Sequence, residues 1–537
     1  MQNYNYSNLD YLTVVRKLID DVVWTTIDEK YISEGQSVVE SSQFFDQLFD
    51  GDLYDIEGTD STFHNEDLAN FLRKYTTTSR VSYKEALKLN QVEGKQIILQ
   101  LGLHPRTASP HLIKQDFFDK FFKNHKEMIP LMREGRLVLL FFFGWEADNF
   151  ANNPYSKDVT DTYYKMFDKV VYEYGIPYES MVILNSNKKG YEQEIEYYGE
   201  DLNHGEYTRV IYENAFEINA FQSQKGEWNP KYTFDEHISN LEKGCKRLLR
   251  INRTQLGCRD FMLYWLENTG YIKDSIVEHR LGDPSFAIEG PNMFYKEKST
   301  IMDGDDSPIT EDFFSLKSYI WRCFKISKNL KFDYLLPGLN FNEEVIDRIK
   351  KNSPYIASEF EKESDFRNLK LGEGRYSNET IPVDVYYNSI FSWASTSLTD
   401  RFDQVFINAS TFNPILHYHP IVFNSNPSHQ HYMIWDGFKP YNWFTESEMP
   451  DCAQTKEERM TLNLNEIHQL MNKPKDTLIG IIKDNRESLE HNRKLLFECK
   501  SIENIIKKLY VIINEKYMNS DGSFDELKSK PNKNYLL

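Results

Sequence analysis

Leu137 to Phe143 reads LVLLFFF, seven residues without a polar position. A strand that must bury both faces belongs inside a parallel sheet with helices on either side, because a sheet with one wet face would alternate apolar and polar residues. The flanking sequence repeats that pattern. The apolar run IILQLGL, ending at Leu103, precedes it, and MVILN, Met181 to Asn185, follows it. Between them lie helical stretches, Asp116 to Arg133 and Thr162 to Tyr174, the second closed by Gly175 and Pro177. Strand and helix alternating at this spacing predict a doubly wound α/β sheet. Gly205 to Phe221 is expected to return to the same sheet, and QSQKGEWNPKY after it reads as a linker.

A second alternating unit begins near Lys246. There RLLRINR reads as a strand, followed by a turn and a helix from Arg259 to Thr269 that stops at Gly270. Ser315 to Phe324 reads as helical and Asp333 to Leu339 as a loop. The segment from Val383 to Glu446 reads as a strand, a polar turn, a short helix carrying Phe412, Pro414, Ile415 and Leu416, and an apolar strand, Pro420 to Phe423. Such an order sets backbone N–H groups and small polar side chains where a phosphate-bearing ligand sits in α/β proteins. Beyond Asn463, apolar residues three or four apart, among them Leu478, Ile482, Leu489, Leu496, Cys499, Ile502, Ile506, Leu509 and Ile513, predict helices that pack on the domains.

A chain of 537 residues exceeds what one core usually organises. The predicted layout is an acidic, aromatic N-terminal extension over 1–90 with helix-like runs at Tyr11 to Val23 and Glu66 to Tyr75, Rossmann-like domains over 91–225 and 240–465, C-terminal helices over 466–517, and a disordered tail over 518–537.

Composition excludes several classes. The net charge of −19 repels a polyanion and disfavours nonspecific nucleic-acid binding. Cys245, Cys258, Cys323, Cys452 and Cys499 form no CxxC pair, so neither a disulfide framework nor a zinc cluster is expected. The start, MQNYNYSNLDYL, lacks the features of a signal peptide, and no apolar run reaches the ~18 residues of a membrane span, so a cytoplasmic location is expected. No GxxxxGK[ST] or GxGxxG run follows a strand, and neither GxSxG nor HExxH occurs, which argues against the common nucleotide-hydrolysing, dinucleotide, α/β-hydrolase and zincin chemistries.

The run from Phe406 to Ile415, FINASTFNPI, followed by His419 and Pro420, resembles a pattern of GT-B-type glycosyltransferase-like proteins of large phages and marine bacteria. There the helix begins Phe-Leu-Thr-Glu-Lys-Thr-Phe-Lys-Pro-Ile and the next strand begins His-Pro-Phe. Ala409, Ser410 and Asn413 stand where the family has its Glu and two Lys. A second signature, Ser-Ile-Val-Thr-Glu-Thr, falls on Ser392 to Ser397 without its Glu. Gly135 and Arg136, then Gly175, Ile176 and Pro177, match the amino-terminal half, and Asn252, Arg253 and Arg259 match a strand end and helix start in the other half.

The resemblance implies two Rossmann-like domains facing a cleft and transfer of a sugar from a nucleotide-sugar donor to an acceptor hydroxyl, with no metal and no cofactor beyond that co-substrate. His104, Glu146 and Asp148 follow strands of the first domain, where a general base for the acceptor would stand, Glu146 first among them. Asn252, Arg253 and Arg259 are the candidates to clamp the diphosphate. Ser395, Thr396, Ser397, Asn408, Ser410 and Thr411 would hold donor groups. Each has a plainer reading as a solvent-facing loop residue, an ion-pair partner or, for Asn408 and Ser410, a helix cap. His417 with His419, and His429 with His431, would share strand faces, yet Pro and aromatic neighbours favour packing over metal binding. The acidic run Asp303 to Asp306 reads as a solvated loop. Two other readings stay open: a catalytically inactive GT-B-like binding or structural protein of a virus, acting in host cytoplasm, and a glycosyltransferase whose acceptor is modified phage DNA. Glycan, protein or DNA as acceptor, and the oligomeric state, are left open.

Overall fold

The computed structural model describes residues 10, 13–14, 17, 22–26, 80–102, 122–123, 125–143, 163–177, 180–185, 187–198, 209–212, 232–252, 257–279, 337–339, 341–352, 355, 383–395, 405, 407, 409–445, 453, 455–498, 504 and 507–510. The chain divides into two compact units, Met1–Lys225 together with Cys499–Leu537, and Gly226–Glu498.

The first unit is built on a six-stranded parallel sheet in the order β2-β1-β3-β4-β5-β6. Its strands are β1 (Val22–Thr26), β2 (Arg80–Ser82), β3 (Gln96–Gly102), β4 (Leu137–Phe143), β5 (Met181–Asn185) and β6 (Arg209–Tyr212). Leu137, Val138, Leu139 and Leu140 are all buried, as an uninterrupted apolar strand requires. One face packs Val23, Ile97, Leu99, Leu137, Leu139, Met181 and Ile183 against helices α1 (Tyr83–Glu93), α2 (Met128–Arg133) and α3 (Tyr163–Tyr174) through Ala86, Met128, Met132, Tyr164 and Phe167. Each fully buried Val, Leu, Ile, Met or Phe side chain among them contributes about 1.5–3 kcal/mol of burial. Helix α4 (Gly190–Tyr198) stands between β5 and β6 in the chain.

Gly135 and Gly175 close α2 and α3 in the left-handed region, at φ 69° and φ 58°. Arg136 N–H then donates to Leu131 O at 2.8 Å, and Ile176 N–H to Val171 O at 3.2 Å, the long-range bond of a Schellman turn. These two glycines turn each helix into the next strand.

The first 90 residues are not only an extension. Strand β1 pairs with both β2 and β3, so it lies within the sheet. The helical pattern expected over Tyr11 to Val23 holds at residues 13, 14 and 17 and then gives way at Val22, because VVWTT is β-branched and aromatic and finds a ladder on both sides. Of the stretch expected to be helical from Asp116 to Arg133, residues 122 and 123 are helical, 125–127 are not, and α2 runs from Met128.

The second unit holds a four-stranded parallel sheet in the order β10-β9-β7-β8, made of β7 (Lys246–Asn252), β8 (Ser275–His279), β9 (Ser389–Ser395) and β10 (Ile421–Asn424). Helix α5 (Phe234–Lys243) precedes β7. Helix α6 (Gly257–Thr269) follows β7 and carries Phe261 to Leu266 without a break in burial, so it is covered on every side. Trp265 of α6 meets Trp393 of β9 edge-on at 6.0 Å. Helix α7 (Glu343–Asn352) packs on α6, and α8 (Val383–Tyr387) covers Leu249 and Ile276 with Val385 and Tyr386. Helices α9 (Ala409–Leu416) and α10 (His429–Trp435) flank β10, and α11 (Lys456–Asn472), α12 (Lys475–Asp484) and α13 (Arg486–Glu498) complete the unit.

Both sheets are thus all-parallel and of the α/β class expected, an arrangement compatible with a Rossmann-like one. Among the described residues no helix is long and apolar enough to cross a membrane.

Candidate functional site

In open parallel sheets, ligands bind outside the carboxyl ends of the strands where the strand order reverses. In the four-stranded sheet that point lies between β7 and β9, because β8 is added on one side of β7 while β9 and β10 are added on the other. The register sets one row across this edge. Asn252 is opposite His279, and Ser395 is opposite Asn424. Leu249 pairs with Ser392, which brings Asn252 and Ser395 level three residues later. Every strand of the sheet therefore ends on a polar residue in one line.

Behind that row lies a set of buried charges. Arg259, in the first turn of α6, donates from Nη2 to the backbone oxygen of Ser395 at 2.9 Å. Arg250 of β7 donates to the backbone oxygen of Arg259. Asp260 approaches His279, with Oδ1 3.1 Å from Nε2 and both side chains fully buried. Glu278 is also fully buried. Asn424 reaches Ser395 Oγ and the Met262 sulfur, each at 3.4 Å. At the other end of the row, Thr411 Oγ1 in the first turn of α9 is 3.2 Å from Nε2 of His429. Burial lowers the His429 pKa to about 3, so its ring is neutral.

The sequence-predicted residues divide accordingly. Arg259, Ser395 and Thr411 are brought to this edge, and Ser410 lies with Thr411 in the first turn of α9. Asn252 takes its place in the row by register. Arg253, Thr396, Ser397 and Asn408 lie outside the described residues, as do His104, Glu146 and Asp148, and the acidic run 303–306. Beta-strand β3 ends two residues before His104 and β4 three before Glu146.

The histidine pairs do not share strand faces. His417 and His419 precede β10 in a turn where Tyr418 has φ 60°, and His429 and His431 lie on α10, two positions apart and so on different sides of the helix. His419 is held by Ser392 Oγ at 2.9 Å and by the backbone oxygen of Tyr386 at 2.7 Å, which makes it a packing residue. Among the described residues no group of three His, Cys, Asp or Glu side chains is placed to hold a metal ion.

Arg250, Asp260, His279 and Asn424 escape a reading by motif, and His429 is singled out by sequence only as a member of a histidine pair. Two signals point to the edge: a charged pair, Arg259–Asp260, directly before six apolar residues, and a His closing the short run SIVEH. Comparison with known proteins identifies no relative, since no family model, no curated protein and no solved structure matches the chain.

Proposed function

We propose that the second unit binds a nucleotide sugar across the carboxyl edge of its four-stranded sheet, and that the protein transfers the sugar to an acceptor hydroxyl in the cytoplasm. The observation that carries this reading is the reversal of strand order between β7 and β9, with polar residues ending every strand of the sheet. Arg259 supports it. Its guanidinium, fixed on the Ser395 carbonyl in the first turn of α6, adds a full positive charge to the partial charge of that helix end. In this scheme Arg253 meets the diphosphate and Thr396, Ser397 and Asn408 hold donor groups, while the base comes from Glu146, with Asp148 and His104 as the other candidates. Neither a metal nor a further cofactor is invoked.

Isothermal titration with a panel of uracil, guanine and cytosine nucleotide sugars tests the donor site. Heat with one of them, abolished by Arg253→Ala, is the expected result; absence of heat with all of them overturns the proposal.

One observation favours a second reading, in which the fold binds without catalysis. Asn413, standing where the related pattern has Lys, is buried with its side-chain oxygen unpartnered, so among the described residues no donor meets it there. Binding that persists with neither hydrolysis nor transfer would select it.

A further inference from the structure

Three imidazoles meet at the amino edge of the four-stranded sheet, opposite the candidate site. His237 comes from α5, and His417 and His419 come from the turn between α9 and β10. His237 and His419 are fully buried and His417 nearly so. Neither ring nitrogen of His237 has a hydrogen-bond partner. That ring is packed between Tyr232 at 5.5 Å, His419 at 5.6 Å and Tyr387 of α8 at 6.1 Å. His417 stacks on Tyr386 at 4.3 Å, nearly parallel, and its Nδ1 is 2.8 Å from Tyr232 Oη.

The charges that bear on these rings all oppose a proton. His417 feels His419, His237 and Arg493 of α13, and His237 feels His419. Among the described residues, the other ionisable groups facing the cluster are the phenols of Tyr232, Tyr386, Tyr387 and Tyr418, and Glu490 and Arg486 act on Tyr418. Burial is the first cause in each case; it holds His237 and His417 well below the usual imidazole range, and His419 at about 4 against backbone hydrogen bonds at Tyr386 and Ser389 that favour its proton.

We propose that this cluster is an acid-operated latch: the neutral rings of His237, His417 and His419 hold α5, α8 and the turn before β10 together, and protonation releases α5 from the sheet. A cation on His237 would have no acceptor, and a second cation beside it would repel the first. The folded state binds fewer protons than the opened one, so the latch is fully closed above the ordinary imidazole pKa of about 6.5 and loosens as the pH falls toward the folded values.

Hydrogen–deuterium exchange of the full chain, corrected for intrinsic exchange and run from about pH 7.5 to about pH 4.5, tests this. Protection of α5 is expected to fall by about tenfold per pH unit for each imidazole released, while β3 and β4 of the other unit keep theirs. His237→Phe keeps an aromatic ring and cannot take a proton, so its slope is expected to be about tenfold per pH unit shallower. Protection of α5 that does not change with pH, a loss spread evenly over both units, or an unaltered slope in a folded His237→Phe would each overturn the latch. If that variant does not fold, exchange at the imidazole C2 positions of the unmodified protein decides: depressed values for all three rings support the latch, and a value at or above about 6.5 for any of them removes it.

Discussion

Oδ1 of Asp260 lies 3.1 Å from Nε2 of His279, and neither side chain reaches solvent. The pair joins the first turn of α6 to the last residue of an edge strand, so each partner compensates a group that the other would strand in a dry interior. Asp260→Ala is expected to cost about 3–5 kcal/mol, the usual consequence of removing one member of a buried pair. Urea unfolding of the second unit measures it.

Gly338 separates two kinds of glycine cost. Its φ is +77°, and a Cβ there would fall 2.7 Å from Cγ2 of Thr269, whose hydroxyl is tied to the Trp265 carbonyl at 2.8 Å. Gly270 shares φ +77° with nothing within 4 Å of its Cβ position. Gly270→Ala should therefore cost only the left-handed strain of about 1–2 kcal/mol, and Gly338→Ala should cost more by the clash. Thermal melts of the two variants, compared side by side, check the order.

Thr233 opens α5 with a reciprocal cap: its hydroxyl accepts from the Glu236 N–H at 3.3 Å, and the Glu236 carboxylate accepts from the Thr233 N–H at 2.7 Å. Thr233→Ala should lose about 1 kcal/mol in a denaturant titration. The bond from the Thr233 backbone also lowers the Glu236 pKa, so the cap's contribution is present above the ordinary carboxyl pKa and fades as the pH falls through the folded value.

Two tryptophans should respond in opposite ways. Trp265 is fully buried, packs on Trp393 and donates Nε1–H to the Pro337 carbonyl at 2.9 Å, so Trp265→Ala should cost about 3–5 kcal/mol. Trp435, at the end of α10, is 63% exposed, and Trp435→Ala should change stability by less than about 0.5 kcal/mol. Equilibrium unfolding of both variants distinguishes them.

Much of the sheet architecture is legible in the sequence because buried parallel strands announce themselves as apolar runs. Leu137 to Phe143 and Met181 to Asn185 coincide with β4 and β5, and the strand read at Arg247 coincides with β7 to within a residue at each end. Strands β1 and β2 escape because five and three residues give too little periodicity, and their place depends on ladders to distant partners. Helix α5 follows directly on a stretch of linker composition, although Thr233 and Glu236 carry its start signal. The candidate site is harder to read. That Asp260 meets His279, and that Arg259 reaches the end of β9, depends on how α6 folds back over the sheet, which no spacing in the chain encodes.

The second unit is inserted into the first: residues after Glu498 return to the body that Met1–Lys225 begins. On the ribosome this inverts the usual order, in which amino-terminal domains mature first. Gly226–Glu498 is complete once α13 has emerged, whereas the earlier-made unit must wait for chain that follows it. The part synthesised first is therefore the last able to finish: all six of its strands are made before the second unit begins, and its closing segment only after that unit ends.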